Sequence, residues 1–195
     1  MRRSSLLQVT VSLLIISLLA FFVWVQSPFF GRVVYPWRFR NEIFDAAQKY
    51  GVDPYLVAAI AYTESKYDPR ARSPKGAMGL MQLMPETAGW IAEQLKWTSF
   101  STEQLYDPRV NIELGCWYLA NLTVQFDDLA KVIAAYNAGR GNLQKWLDQG
   151  TWDGRFATVD SIPFGETRDY VRKVAKHHRY YRNLYGPQVA WLWWK

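Results

Sequence analysis

Residues 6–25, LLQVTVSLLIISLLAFFVWV, carry no charged side chain. Twenty residues in helical form rise about 30 Å, the thickness of a bilayer's hydrocarbon core. Such a segment has no place in a small water-soluble core, so it is read as a transmembrane anchor. Arg2 and Arg3 precede it, and the positive-inside rule therefore puts residues 1–5 in the cytoplasm and everything after Val25 outside. The rival is a cleaved signal peptide. Three features argue against it: the run is long, the flanks around Gln26-Ser27 are bulky, and Pro28 follows the best cut. No cysteine lies near the end of the run, so it is not a lipoprotein signal. Trp24, Tyr35 and Trp37 are placed to mark the outer interface, although Trp37 equally suits packing under the first soluble helix.

Residues 26–40 read as a linker. Beyond them, helix starts and stops are written in Asp-Pro and Gly punctuation. Glu42 to Tyr50 is helical and stopped by Gly51. Asp53-Pro54 opens a helix to about Lys66, and residues 67–77 form a loop. Pro85 begins another helix, and Ser101-x-x-Gln104 resembles a capping box. Asp107-Pro108 opens a long helix to about Phe126, Asp127 or Asp128 caps the next, and Gly139 ends it. A short helix over 141–149, an irregular stretch over 151–164 and a long basic helix over 167–185 complete the pattern. No alternating strand and no internal repeat is present. The expected class is all-α, one soluble domain behind one membrane helix.

Charge narrows the partners. Lys plus Arg number 23 and Asp plus Glu 17, a net charge of +6. This favours nucleic acid, an anionic membrane face or an anionic wall polymer. An extracytoplasmic domain argues against nucleic acid. Cys116 is the lone cysteine, which excludes an internal disulfide and a multi-cysteine metal site. It lies among Leu114, Trp117 and Leu119 and reads as core. His177 and His178 are adjacent, so they face different ways and complete no ligand set; no metal is expected.

One acid stands out. Leu56, Val57, Ile60 and Ala61 form an apolar stripe, and Glu64 continues it at helical spacing. An acid there is partly desolvated and its pKa should rise, keeping a proton for donation near neutral pH. The plain alternative is a helix-end Glu64 in solvent, or paired with Lys66 or Arg70. Further on, Gln82 is a lone neutral polar residue within GLMQLM, and a buried amide needs partners. Tyr136 and Asn137 stand just before the helix-ending Gly139.

Together these segments resemble the soluble-lytic-transglycosylase (SLT) type of catalytic domain in the lysozyme-like superfamily, over residues 41–186. Glu64-Ser65 matches an ES motif. Gly79-Leu80-Met81-Gln82 matches GLMQ, within S-x-x-G-A-x-G-L-M-Q from Ser73. Ala135 to Gly139 matches AYNAG. Ile162 to Val171 matches I-P-x-x-E-T-x-x-Y-V. Thr63 departs from the Gln or His common before the acid. The resemblance implies Glu64 as single acid/base, with Ser73 and Gln82 holding substrate. It implies Met81 and Met84 lining a sugar groove, Tyr136 hydrogen-bonding near the reacting centre, and Asn137 and Gly139 shaping that wall. Glu166 would orient groups across the site, with Tyr170 beside it. The implied reaction cuts peptidoglycan between N-acetylmuramic acid and N-acetylglucosamine and leaves 1,6-anhydromuramoyl ends, with no cofactor. The implied partners are glycan strands and, besides them, cell-wall or envelope assembly proteins; the N-terminal helix adds the membrane and puts the domain, expected as a monomer, in the periplasm or wall space.

Two rivals remain at this point. A hydrolytic muramidase on the same fold needs a second carboxylate, for which Asp68, Asp160 and Glu166 are the candidates. A silent wall-binding module has no use for an acid at position 64. Arg168, Arg172, Lys176, Arg179 and Arg182 share one helix face, either solvated or steering the domain to anionic polymers or lipid. Residues 187–195, with Trp191, Trp193 and Trp194, form an aromatic tail that suits a membrane interface or domain packing.

Overall fold

In the computed structural model, residues 2–25 and 27–186 are described. The chain divides between Trp37 and Arg38 into two compact units. In the first, α1 (Arg2–Val25) is a continuous helix. Its Gln8–Val25 stretch has mean hydropathy 2.3 and none of it is buried in protein, so by length and composition it suffices to cross a membrane. The span read as a linker holds a second helix, α2 (Pro28–Val34). Its start is local chemistry: Ser27 is the N-cap, its hydroxyl accepting from the Phe30 N–H, and Pro28 occupies the first turn. The aromatic tail lies outside the described residues.

The second unit is built from helices, and among the described residues it contains no strand. It comprises α3 (Arg40–Tyr50), α4 (Pro54–Ser65), α5 (Pro85–Gln94), α6 (Pro108–Gln125), α7 (Leu129–Ala138), α8 (Arg140–Asp148) and α9 (Gly165–Tyr185). Caps explain most of the boundaries. Asp53, Asp107 and Asp128 each accept N–H groups from the first turn behind them, at 2.7–2.8 Å for the closest. Gly51 closes α3 at φ 68°, a left-handed value that suits glycine. The Ser101/Gln104 capping box is real but heads a 3-10 turn, Thr102–Tyr106. The stretch read as irregular over 151–164 contains a further 3-10 turn, Phe156–Ser161.

Helix α4 is the axis of the unit. Leu56 through Ala61 are buried without interruption, so it is apolar on every side rather than along one stripe. It packs chiefly against α9, which contributes Tyr170, Val171, Val174 and Tyr181 to the core. Helix α6 supplies Ile112, Leu114, Leu119 and Leu122, and Cys116 is buried among them, as its neighbours suggested. Burial pushes that thiol's pKa up, leaving it unreactive.

Candidate active site

The catalytic candidate ends α4. After Ser65 the helix cannot continue, because Lys66 and Tyr67 both take positive φ. Glu64 thus lies in the last turn, half-buried, with six apolar residues of its own helix behind it. Burial pushes its carboxyl up to about 7 from an ordinary 4.5. The Tyr170 hydroxyl, donating to Glu64 Oε1 at 2.6 Å, partly offsets this. The Glu166 carboxylate, a like charge, adds to it. Solvent exposure and pairing with Lys66 or Arg70 are therefore not what Glu64 does. Tyr136 also stands within electrostatic reach of it.

The loop over residues 66–84 wraps back onto this helix end. Ser65 Oγ donates to the Leu80 carbonyl at 2.8 Å, joining helix to loop directly beside the acid. Two isolated bridges, Arg72 with Met78 and Met78 with Leu83, fold the loop on itself. Gly79 is required: at φ 76° any Cβ would stand 2.1 Å from the Leu105 carbonyl oxygen and 2.3 Å from Asn111 Nδ2. Asn111 is fully buried on α6 and clamps the loop. Its Oδ1 accepts from the Met81 N–H at 2.8 Å, and its Nδ2 donates to the Met78 and Leu105 carbonyls.

Several expected roles change here. Met81 does not line a groove. Its side chain is fully buried, pointing at Gly115, where an added Cβ would stand 2.3 Å from Sδ. What Met81 offers the site is its carbonyl, which accepts the Tyr136 hydroxyl at 2.9 Å. Gln82 finds its partners within the protein: at φ 49°, its Nε2 donates to the Ala71 and Gly79 carbonyls. Ser73 Oγ accepts from the Ala77 N–H at 3.0 Å, so its oxygen braces the loop while its proton stays available to donate. Met84 is exposed. Asn137 Oδ1 accepts from the buried Thr167 hydroxyl at 2.8 Å, tying α7 to α9. Glu166 is exposed and pairs with Lys75 at 3.0 Å, linking the loop to the first turn of α9.

Sequence reasoning missed Asn111, Lys75 and the role of Thr63. Asn111 carried a faint signal, an amide four residues inside a helix of mostly apolar composition. Lys75 carried none. Thr63, the departure from the family pattern, hydrogen-bonds the Ala59 carbonyl and His177 Nδ1, at 2.7 and 2.8 Å. Burial, aided by Lys66, pushes His177 down to about 4, so the ring is neutral at physiological pH. It also meets Tyr62 edge-on, at 5.1 Å between ring centroids. His178 Nε2 pairs instead with Asp53 Oδ2. Of the three carboxylates weighed as a second acid, Asp68 caps its own turn at the Arg70 N–H and Asp160 pairs with Arg172. Glu166 alone acts on Glu64.

An all-helical unit thus holds the half-buried Glu64 carboxyl under the Tyr170 hydroxyl, against a loop fixed by Gly79 and Asn111. The family model described as the transglycosylase SLT domain matches residues 41–157, and the chain belongs to that family. The soluble lytic murein transglycosylase of Escherichia coli K12 is 44% identical over 135 residues, covering 67% of this chain and 21% of that protein. The membrane-bound lytic murein transglycosylase C of Edwardsiella ictaluri is 34% identical over 161 residues, 71% of this chain and 45% of that one. This chain thus spans about a fifth of the soluble relative and under half of the membrane-bound one. Among solved structures, the 70 kDa soluble lytic transglycosylase of E. coli superposes with a TM-score of 0.75 at 34% identity, over 80% of this chain and 26% of that one. Its complex with bulgecin A gives 0.73.

Proposed function

We propose that the protein is a membrane-anchored lytic transglycosylase acting on peptidoglycan glycan strands, with Glu64 as its only acid/base. The observation that carries this reading is the Glu64 carboxyl, held near pKa 7 by burial and hydrogen-bonded by Tyr170. A group poised near neutrality serves in turn as acid and as base. Tyr170 occupies Oε1, so Oε2 carries the proton toward the glycosidic oxygen. Proton transfer to that oxygen breaks its bond to C1 of the muramoyl sugar and frees the next sugar's hydroxyl. The 2-acetamido carbonyl stabilises the cationic centre, as in substrate-assisted exceptions to the two-carboxylate rule. Glu64, now ionised, takes the proton from the C6 hydroxyl, and O6 closes on C1 to give the 1,6-anhydro ring. No water is consumed. Intramolecular attack gains an effective concentration that replaces a positioned nucleophile.

A structural relative supports the same role for an acid. The lytic transglycosylase Slt of Pseudomonas aeruginosa, 36% identical with a TM-score of 0.72, is inactive when a single glutamate is replaced by glutamine. Anchoring rests on the apolar Gln8–Val25 helix and on the membrane-bound relative. The arrangement this favours is a single pass with residues 1–5 cytoplasmic and an SLT domain over 41–186 on the outer side.

The test is digestion of isolated peptidoglycan by the full chain in detergent, with mass spectrometry of the products. Anhydromuramoyl ends support the reading. Reducing ends refute it and turn attention to Glu166 as the base of a muramidase. No product, from a folded protein that still binds the wall, refutes catalysis altogether.

A further inference from the structure

A concavity of about 240 Å³ is lined by Glu86, Thr87, Trp90, Tyr118 and Arg140. It adjoins the site: Tyr118 packs on Tyr136 at 5.5 Å between ring centroids, and Tyr136 in turn bonds the Met81 carbonyl. It is small for a whole ligand, since ligand pockets run from about 300 to 1,000 Å³, and suits one substituent of a larger one. Its aromatic ring is already occupied. The Arg140 guanidinium lies 4.7 Å from the Trp90 centroid, and Trp117 meets the same ring edge-on at 5.3 Å. Trp90 is therefore a bed that holds the guanidinium rather than an open platform for a sugar. Among the described residues, neither Arg140 nor Glu86 belongs to an ion pair. A half-buried guanidinium oriented by stacking and held in no ion pair can receive a carboxylate in bidentate fashion. The opposite charge of Glu86 in the same small space disfavours a bare polyanion such as phosphate and suits a neighbouring ammonium.

We propose that this pocket is a peptide subsite, in which Arg140 takes a free carboxylate of the peptide borne on the glycan and Glu86 faces an ammonium of the same segment. This rests on the glycan-cleaving reading above. It makes the enzyme sensitive to the peptide as well as to the sugar it cuts. The test compares the full chain and its Arg140→Gln and Arg140→Lys variants in detergent, on peptide-bearing peptidoglycan and on the same glycan stripped by an amidase. The ratio of kcat/KM on the two substrates should fall about tenfold in Arg140→Gln, through KM. Arg140→Lys should restore only part of it, because an ammonium lacks the fork. A ratio equal to that of the unaltered protein overturns the proposal. If the unaltered protein cuts neither substrate, the catalytic reading has failed and the pocket is judged by calorimetry. A disaccharide-peptide should then bind about tenfold more tightly than the disaccharide, and this preference should vanish in Arg140→Gln. Equal affinities overturn the proposal.

Discussion

Replacing Glu64 by Gln should stabilise the protein, and only above the acid range. The folded carboxyl titrates near 7 and its ordinary value is 4.5. Below about pH 4 both folded and unfolded chains hold the proton, and the substitution is nearly neutral. Between these values the unfolded chain ionises while the folded one stays protonated, so the native protein loses stability as pH rises. Above 7 the loss is complete. A difference of about 2.5 pKa units corresponds to about 3 kcal/mol. Gln carries none of this penalty, and its carbonyl still accepts the Tyr170 hydroxyl. For a domain of this size, that converts to a gain of about 6–12 °C in Tm. Thermal unfolding of both proteins by circular dichroism, at about pH 4 and about pH 8.5, measures it. The difference between them should open with rising pH and should level off past neutrality. A Tm difference that does not change with pH would refute the claim that Glu64 is desolvated, and with it the physical basis for a single acid. The same variant should lose cleavage, so stability and activity move in opposite directions.

Three further outcomes follow from the same contacts. For the unaltered protein, kcat/KM should fall as pH rises through about 7, because the reaction begins from protonated Glu64; Tyr170→Phe removes the hydrogen bond that favours the carboxylate and should move that fall upward by about one unit. Glu166→Gln removes a like charge and should move it downward, whereas Lys75→Met leaves Glu166 uncompensated and should move it slightly upward, both read from pH–rate profiles. Asn111→Ala strands the Met81 N–H and two carbonyls in the interior and should cost about 2–4 kcal/mol in urea unfolding, a loss that Asn111→Asp does not repair because it cannot donate.

What could be read from the sequence was local. Asp53, Asp107 and Asp128 cap the helices their positions announce, because capping involves residues only two or three apart. The same rule, applied to Ser27-Pro28, would have found α2 inside the supposed linker. The motif positions were also legible, but what their atoms do was not. Met81 belongs to the motif through its carbonyl and its tight fit against Gly115, so a role assigned to its side chain fails. Gln82 commits its Nε2 to the loop that contains it. Lys75 and Glu166 lie 91 positions apart, and no periodicity relates them.

The burial of Glu64 shows why a stripe argument reaches the right residue for an incomplete reason. On an amphipathic helix, an acid at the end of the apolar face could still turn to solvent. Helix α4 offers no such exit through its middle, because Leu56 to Ala61 are buried on every side. Its end is then closed by contacts from distant segments: Ser65 to Leu80, Thr63 to His177 and Tyr170 to Glu64 itself. One comes from the loop and two from α9, and together they fix the last turn without placing a cation beside the carboxylate. A lysine or arginine at any of those three contacts would pull the pKa down and hold Glu64 ionised. Neutral partners keep it protonatable, and the residue before the acid can therefore vary, as Thr63 does, provided it stays uncharged.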